Sequence, residues 1–157
     1  MTYSDWQSGT IDLANLSLNT GGAQGDRFIS IEHIIATAHD DTLRGHNGDT
    51  ELLGGAGNDT LRGGQGVNEF IFNHGADVIQ GFTDNVDRTH IDVRFFNGSR
   101  ELTLESITEN ATIIEEATIL ALGLHRGTRE GSVLTHEGVI DSNILLDDLY
   151  VFDGSLG

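Results

Sequence analysis

The sequence predicts an all-β fold, a parallel β-roll in which short strands and glycine-rich turns stack as a solenoid. Three observations predict it: a nine-residue repeat in the middle of the chain, 21 glycines with no proline, and 25 acidic residues against 8 basic ones. A short repeat of fixed period is typical of solenoids, because one unit cannot bury its apolar face until a neighbour stacks on it.

The repeat spans residues 36–80. Written in nines, these residues read ATAHDDTLR, GHNGDTELL, GGAGNDTLR, GGQGVNEFI and FNHGADVIQ. The eighth place is apolar in every copy, and the same spacing reaches back by one more residue, which gives the series Ile34, Leu43, Leu52, Leu61, Phe70 and Ile79. Apolar residues repeated at one spacing argue against a flexible linker.

Each copy divides into a turn and a strand. Places one to six form the turn, where glycines adopt positive φ without a Cβ clash. Places seven to nine form a short strand, in which the residue at place eight points inward and its neighbours point outward. Two turns and two strands make one coil of 18 residues, and the coils stack in parallel so that each covers the core of the next.

The charge of the chain limits its partners. The formal net charge is −17, and all 8 basic residues are arginine. Nucleic-acid binding is not expected, because phosphate binding needs a basic surface. Membrane insertion is not expected either, since no run approaches the roughly 20 apolar residues of a span. A partner that neutralises carboxylates is expected, and a divalent cation is the simplest.

The sequence also lacks the patterns of several enzyme classes. It contains no H-E-x-x-H motif and no G-x-S-x-G motif, and its 7 histidines show no i, i+4 pairing of the kind that zinc ligands have on a helix. There is no cysteine, and residues 1–6 do not resemble a cleavable signal peptide. We therefore expect a non-catalytic accessory module of a larger secreted enzyme or adhesin.

One copy carries a family resemblance. Residues Gly54–Arg62 match G-G-x-G-x-D-x-U-x at every specified place, where U is a large apolar residue. The chain thereby resembles RTX (repeats-in-toxin) modules, whose nonapeptides bind calcium. It is similar to the C-terminal modules and R-modules of type I-secreted proteins such as mannuronan C-5 epimerases and serralysin-type proteases. The resemblance implies a right-handed parallel β-roll (β-helix) capped by β segments at both ends.

The resemblance is specific over residues 23–92 and looser over residues 93–152. We expect one module over residues 1–157, with an N-terminal cap (1–26), the roll (27–80) and a C-terminal β cap with a tail like a secretion signal (81–157). Strands outside the repeats are predicted at Ile11–Leu13, Ile91–Phe95, Glu101–Leu104, Ala117–Leu122 and Ser132–Leu134.

The sixth place of the repeat separates two sides of the roll, because turns on one side recur every 18 residues. On one side, called here the acidic side, place six is Asp41, Asp59 and Asp77. On the opposite side it is Glu32, Thr50 and Asn68. Calcium takes six to eight oxygen ligands, and stacked turns supply both carboxylates and carbonyls. A solvated acidic face is the alternative, but aspartates in register within glycine turns favour calcium.

The resemblance implies where the cations lie. Each sits between one turn and the turn a coil later. The earlier turn gives the carbonyls of places two and four and its aspartate, and the later turn gives the carbonyls of places one and three and its own aspartate. One site would use Thr37, His39, Asp41, Gly54, Ala56 and Asp59. A second would use Gly55, Gly57, Asp59, Phe72, His74 and Asp77. Asp59 would belong to both sites, and about two strong sites are expected.

The opposite side departs from the motif. A weak or empty site there would use His46, Gly48, Thr50, Gly63, Gln65 and Asn68, with no carboxylate at place six. On the acidic side, His39 stands where glycine normally takes positive φ, so its turn must be strained or altered. A further site near Asp84, Asp87 and Asp92 and a solvated acidic loop are equally open.

These features predict a module that folds on binding extracellular Ca²⁺ and supports type I secretion and stability of a larger protein. The tail Asp148–Phe152 fits either a secretion signal or an ordinary closing strand. The alternative function is binding of an anionic polysaccharide such as alginate, because Arg44 and Arg62 would lie in a row on one outer face, beside Thr42 and Thr60. These arginines could instead offset nearby aspartate charge.

Overall fold

A computed structural model of the chain describes residues 2, 7–83, 86–92, 96–97, 112–114, 117–125, 131–137 and 149–152. It contains the strands β1 (Thr10–Asp12), β2 (His33–Ile35), β3 (Thr42–Arg44), β4 (Thr50–Leu53), β5 (Thr60–Arg62), β6 (Asn68–Phe72), β7 (Ala76–Gln80), β8 (Arg88–Asp92), β9 (Phe96–Asn97), β10 (Thr112–Ile114), β11 (Ala117–His125), β12 (Gly131–Glu137) and β13 (Leu149–Phe152). Two short 3-10 helices occupy Leu16–Leu18 and Gly21–Ala23.

The strands form two sheets, and the chain alternates between them through the repeats. One sheet has the order β1-β3-β5-β7-β12-β11-β10, with β9 paired to β11, and the other has the order β13-β8-β6-β4-β2. All pairs from β1 to β8 are parallel. The predicted all-β parallel roll with 18-residue coils is therefore confirmed.

The register of the sheets follows the repeat. Leu43 pairs with Leu61 and Leu61 with Ile79 in one sheet, while Leu52 pairs with Phe70 in the other. All the place-eight residues predicted to point inward are at most 1% exposed: Ile34, Leu43, Leu52, Leu61, Phe70 and Ile79. Each repeat strand thus contributes its place-eight side chain to a narrow core between the sheets, and β6 adds Phe72.

Both sheets continue beyond the predicted roll of residues 27–80. At the N-terminal end β1 pairs in parallel with β3, and Ile11, which is 4% exposed, covers the first coil. At the other end β12 pairs in parallel with β7, and β8 pairs with both β6 and β13. The segments predicted as caps therefore extend the sheets of the roll by backbone pairing.

Most of the strands predicted outside the repeats have counterparts. Strand β1 is shifted by one residue from the predicted Ile11–Leu13, and β11 and β12 contain the predicted 117–122 and 132–134. Strand β8 begins before the predicted 91–95 and covers its first two residues. Residues 93–95 and the predicted strand at 101–104 lie outside the described residues.

The core predicts a contrast between two leucines. Leu61 is 1% exposed between the sheets, whereas Leu18 is 50% exposed. Leu61→Ala should lower the free energy of unfolding by about 2–5 kcal/mol, because it leaves a cavity in a core one residue deep. Leu18→Ala should change it by about 0.5 kcal/mol or less. Urea denaturation in saturating calcium measures both; similar losses for the two variants would contradict the inward position of place eight.

Candidate metal centre

The place-six aspartates of the acidic side form a buried ladder. Asp41, Asp59 and Asp77 are 5%, 1% and 1% exposed. The backbone N–H of Asp41 donates to Asp59 Oδ1 at 2.8 Å, and that of Asp59 donates to Asp77 Oδ1 at 3.0 Å. Each carboxylate therefore reaches back to the preceding coil, and the three predicted site residues are brought into one column.

The first carboxylate of the ladder is held by hydrogen bonds. Asp41 Oδ1 accepts from Gly9 N at 2.7 Å. Asp41 Oδ2 accepts from the backbone N and the hydroxyl of Thr37, at 2.9 and 2.6 Å. Both carboxylate oxygens of Asp41 are thus engaged, which makes this end of the ladder the less open to a cation.

The middle carboxylate has an oxygen without a partner. Asp59 Oδ2 is buried and accepts no hydrogen bond. It lies against the Cα of Gly54, where a Cβ would collide with it. A buried carboxylate oxygen without a donor is costly, so this atom indicates a missing positive ligand. The residues therefore fit a hard cation at this position.

Burial also changes the protonation of the ladder. Loss of hydration raises the pKa of Asp59 to about 7, and the nearby Asp41 and Asp40 carboxylates add to the effect. Loss of hydration, with the charge of Asp59 beside it, raises the pKa of Asp77 to about 9. Without a cation these carboxyls hold protons near neutral pH. A divalent cation would favour their ionised forms.

The turns of the acidic side stack backbone against backbone. Gly55 and Gly57 have φ of +103° and +110°. A Cβ on Gly55 would collide with the carbonyl oxygen of Thr37, and one on Gly57 would lie 2.6 Å from the carbonyl carbon of His39. Successive turns are thus in direct backbone contact, and only glycine permits both the dihedral angles and the approach. The carbonyls of Thr37, His39 and Gly57, which are assigned to the two strong sites, face the next turn of this stack.

Turns that lack a glycine are altered rather than strained. His39 and His46 have no positive φ; Ser30 is the one non-glycine residue with positive φ in the described part of the chain. Thr37 Oγ1 accepts the N–H of His39 at 3.0 Å, and His46 Nδ1 accepts the N–H of Gly48 at 2.8 Å. In both turns a side chain at place two closes the turn that glycine closes elsewhere.

On the opposite side, the weak site's carbonyls are already in use. Gln65 N donates to the carbonyl of His46 at 3.2 Å, and Thr50 Oγ1 donates to that of Gly48 at 3.2 Å. The side chain of Asn68 lies against Gly63 as that of Asp59 lies against Gly54. This arrangement supports the expectation of a weak site there.

The opposite ladder also has a member that the sequence did not indicate. Asn68 N donates to Asp87 Oδ1 at 2.8 Å, across 19 residues rather than 18. Phe70 correspondingly pairs with Thr89. Asp87, considered above as part of an acidic cluster, is therefore the next place-six residue of this side. Asp84 lies outside the described residues.

A second ladder runs at place five, which the repeat pattern leaves unspecified. Asn58 N donates to Asp40 Oδ1 at 2.8 Å, and Ala76 N donates to Asn58 Oδ1 at 2.9 Å. On the opposite side Val67 N donates to Asp49 Oδ1 at 2.8 Å. These side chains reach forward to the following coil, and they link the turns without a cation.

The charges on the outer faces follow the strand register. Arg44 pairs with Arg62, and Thr42 with Thr60, so the predicted row exists in the sheet. Arg44 Nη1 lies 3.5 Å from Asp12 Oδ2, which is buried. No three His, Asp or Glu side chains converge as metal ligands within the described residues, so a cation here would depend on carbonyls as well. Within the same residues no helix is long and apolar enough to cross a membrane.

Comparison with known proteins places the repeats in a family. The profile described as RTX calcium-binding nonapeptide repeat (4 copies) matches residues 35–70 and 45–79. Among solved structures, the chain matches the solution structure of the AlgE6R3 subunit from the Azotobacter vinelandii mannuronan C5-epimerase, with 19% identity and a TM-score of 0.43, over 85% of this chain and 88% of that one. No curated protein sequence matches.

The fold of the metal-free chain should depend on pH through Asp59 and Asp77. Their pKa values rise from 3.8 to about 7 and about 9, so the folded chain holds protons that the unfolded chain releases. Their contribution to stability is complete below about pH 4 and is lost as pH rises through about 7 to 9. Circular dichroism in metal-free buffer should show more β structure at about pH 6 than at about pH 9.

The matched control for this pH dependence is the double variant Asp59→Asn with Asp77→Asn. It lacks both titrating groups and should show a flatter profile. A metal-free wild-type chain that gains β structure as pH rises would contradict the burial of these carboxyls.

Proposed function

We propose that the chain is a non-catalytic module of a larger secreted protein that folds when it binds extracellular Ca²⁺, because residues 35–79 match the model of the RTX calcium-binding nonapeptide repeat. The observation that carries this proposal is the oxygen Asp59 Oδ2, which is buried without a hydrogen-bond partner. It lies in a ladder between Asp41 and Asp77. A cation at this point would be a partner for that oxygen.

The two proposed strong sites share Asp59 and differ in quality. The second site has Asp77, whose pKa is raised by loss of hydration and by the charge of Asp59, so a cation there would meet two buried carboxylates. Its earlier turn has the positive φ of Gly55 and Gly57. In the first site both oxygens of Asp41 already accept hydrogen bonds. We therefore expect the second site to bind calcium more tightly than the first.

Calcium binding would stabilise the fold because the core alone is small. Each strand of the roll buries one place-eight side chain, and the stacked carboxylates repel one another when ionised. A cation that binds only the folded state at about 100 times its Kd adds about 2.7 kcal/mol. Extracellular calcium modules bind in the range of about 10⁻⁴ to 10⁻³ M. Such a module stays loose at low calcium and folds outside the cell.

This calcium dependence would serve secretion. A chain that is unfolded at cytosolic calcium can pass through a type I exporter as an extended polypeptide. Folding in the extracellular medium then prevents its return and stabilises the larger protein to which it is joined. The segment Asp148–Phe152, of which Leu149–Phe152 forms β13, is our candidate for contact with the export machinery.

Calcium should control both the fold and its stability. Removal of calcium with EDTA at neutral pH should remove most of the β-type circular dichroism, and millimolar calcium should restore it. Asp59→Ala should weaken both strong sites and shift the calcium midpoint strongly upward. Thr50→Ala is the matched control, since it changes place six on the opposite side.

Two results would contradict the calcium proposal. A chain that remains fully folded in EDTA and binds no calcium in isothermal titration would reject it. Equal shifts for Asp59→Ala and Thr50→Ala would reject the assignment of the strong sites to one side.

Anionic polysaccharide binding is the second candidate function. The observation that favours it is the register of Arg44 with Arg62 and of Thr42 with Thr60 on one outer face. Arg62 is exposed, whereas Arg44 lies 3.5 Å from the Asp12 carboxylate and is partly neutralised. The net charge of −17 opposes a polyanion. Arg62 is therefore the residue on which this function would depend.

Alginate oligomers should perturb the amide resonances of Arg62 and Thr60 in the calcium-loaded protein if this face binds polysaccharide. Arg62→Ala should remove the perturbation, and a neutral oligosaccharide of equal length should cause none. Glu51, on the outer face of the other sheet, is the internal reference. Absence of any shift at Arg62 would reject this candidate.

A further inference from the structure

We call a corner the place where the side chain at place six meets the next place-six side chain, one coil later on the same side. One corner on each side of the roll contains the same backbone hydrogen bond, and the two corners differ in the side chain at place six. On the acidic side Asp59 N donates to Asp77 Oδ1, and on the opposite side Asn68 N donates to Asp87 Oδ1. Asp59, Asp87 and Asn68 are each 1% exposed. Gly64 and Gly66 have φ of +106° and +86°, as in the turn before Asp59. The earlier turns of the two corners are therefore similar in backbone conformation, while the later turn of the opposite side has one more residue before its aspartate.

The difference lies in the side chain at place six. Asp59 Oδ2 lies against Gly54 and has no hydrogen-bond partner. In the Asn68 side chain the atom that lies against Gly63 is Nδ2, and it donates to Asp87 Oδ1 at 3.0 Å. An N–H donor thus stands where the acidic side has an unpartnered carboxylate oxygen, and the unpartnered atom of the Asn68 side chain is its neutral amide oxygen Oδ1.

The Asp87 carboxylate is satisfied by these donors. Its Oδ1 accepts from the backbone N and the side-chain Nδ2 of Asn68, at 2.8 and 3.0 Å, and its Oδ2 accepts from Thr83 N at 2.8 Å. A carboxylate that accepts several N–H bonds is stable in its ionised form without a metal. This corner already has the positive partner that the Asp59–Asp77 corner lacks.

We propose that Asn68 decides which corners of the roll take a cation: its amide replaces calcium at the Asn68–Asp87 corner, which therefore forms without metal. The proposal rests on the proposed function, because it assumes that calcium fills the equivalent Asp59–Asp77 corner. Asn68→Asp should convert the metal-free corner into a calcium site.

The position of the Asn68–Asp87 corner indicates what a metal-free link would do for the fold. Asp87 directly precedes β8, which joins β6 of the repeats to β13 near the C-terminal end of the described chain. A metal-independent link there holds the last coil to the C-terminal segment before calcium arrives. Calcium then completes the opposite corners of a coil that is already aligned.

The test is the calcium stoichiometry of Asn68→Asp. The substitution places two carboxylates together, so it should lower the stability of the metal-free chain and add one bound calcium ion per chain in isothermal titration. Adding Asp87→Asn to this variant should remove the extra ion, whereas adding Thr50→Val should not. An unchanged stoichiometry in Asn68→Asp, or an extra ion that Thr50→Val removes, would overturn the proposal.

Asp87→Asn in the wild-type background tests the same point if Asn68→Asp fails to fold. The number of calcium ions should stay at the wild-type value, while backbone amide protection of Asn68 against hydrogen exchange in calcium-free buffer should fall. Loss of one calcium ion would show that the wild-type corner binds metal and would overturn the proposal. Failure of the proposed function is distinguishable, because wild-type protein would then bind no calcium that Asp59→Ala removes.

Discussion

The structure depends on burying carboxylates in stacked turns. The place-six aspartates lie inside the stack, where each accepts a backbone N–H from the preceding layer of the same side. This bond sets the spacing and register of the turns, but it leaves one side-chain position per corner without a donor. The molecule meets that need in several ways: hydrogen bonds from Thr37 and Gly9 at Asp41, the amide of Asn68 at Asp87, and a cation at Asp59 in our proposal.

The glycines and the narrow core follow from this burial, and so does the calcium dependence that we propose. Glycine stands at place one in Gly54 and Gly63, because the place-six side chain occupies the space that a Cβ would fill. The core takes few residues from each strand, because most of each nonapeptide is used for the turn. Such a fold has little hydrophobic stabilisation to set against the chain entropy. Ligand binding at the turns is therefore suited to act as the folding switch.

The repeat predicted the fold because it specifies the positions that pack. Place eight fixed the core, and the 18-residue spacing fixed the register and the column of Asp41, Asp59 and Asp77. Asp87 was not recognised as a ladder member because one inserted residue shifts its spacing to 19. Its neighbour Thr89, paired with Phe70, also breaks the apolar pattern at place eight. A search that allowed one insertion would have found it.

Other features were missed because they depend on side-chain chemistry at variable places. The turn closures by Thr37 and His46 replace a glycine that the motif specifies, and the motif alone cannot tell which substitute works. The place-five ladder of Asp40 and Asn58 lies at an unspecified position. The sheets continue into β1 and β12 through pairings between strands that are far apart in the sequence. A nine-residue repeat cannot predict such pairings.

The opposed directions of the two ladders have a consequence for how such a chain can change in length. Place six reaches to the preceding coil and place five to the following one, so each turn is held from both neighbours. Duplication or deletion of a whole coil preserves both contacts. A change of a single nonapeptide exchanges the two sides and sets Asn68 and Thr50 among the aspartates. Growth of the roll by recombination should therefore proceed in pairs of nonapeptides, and an odd number should be selected against.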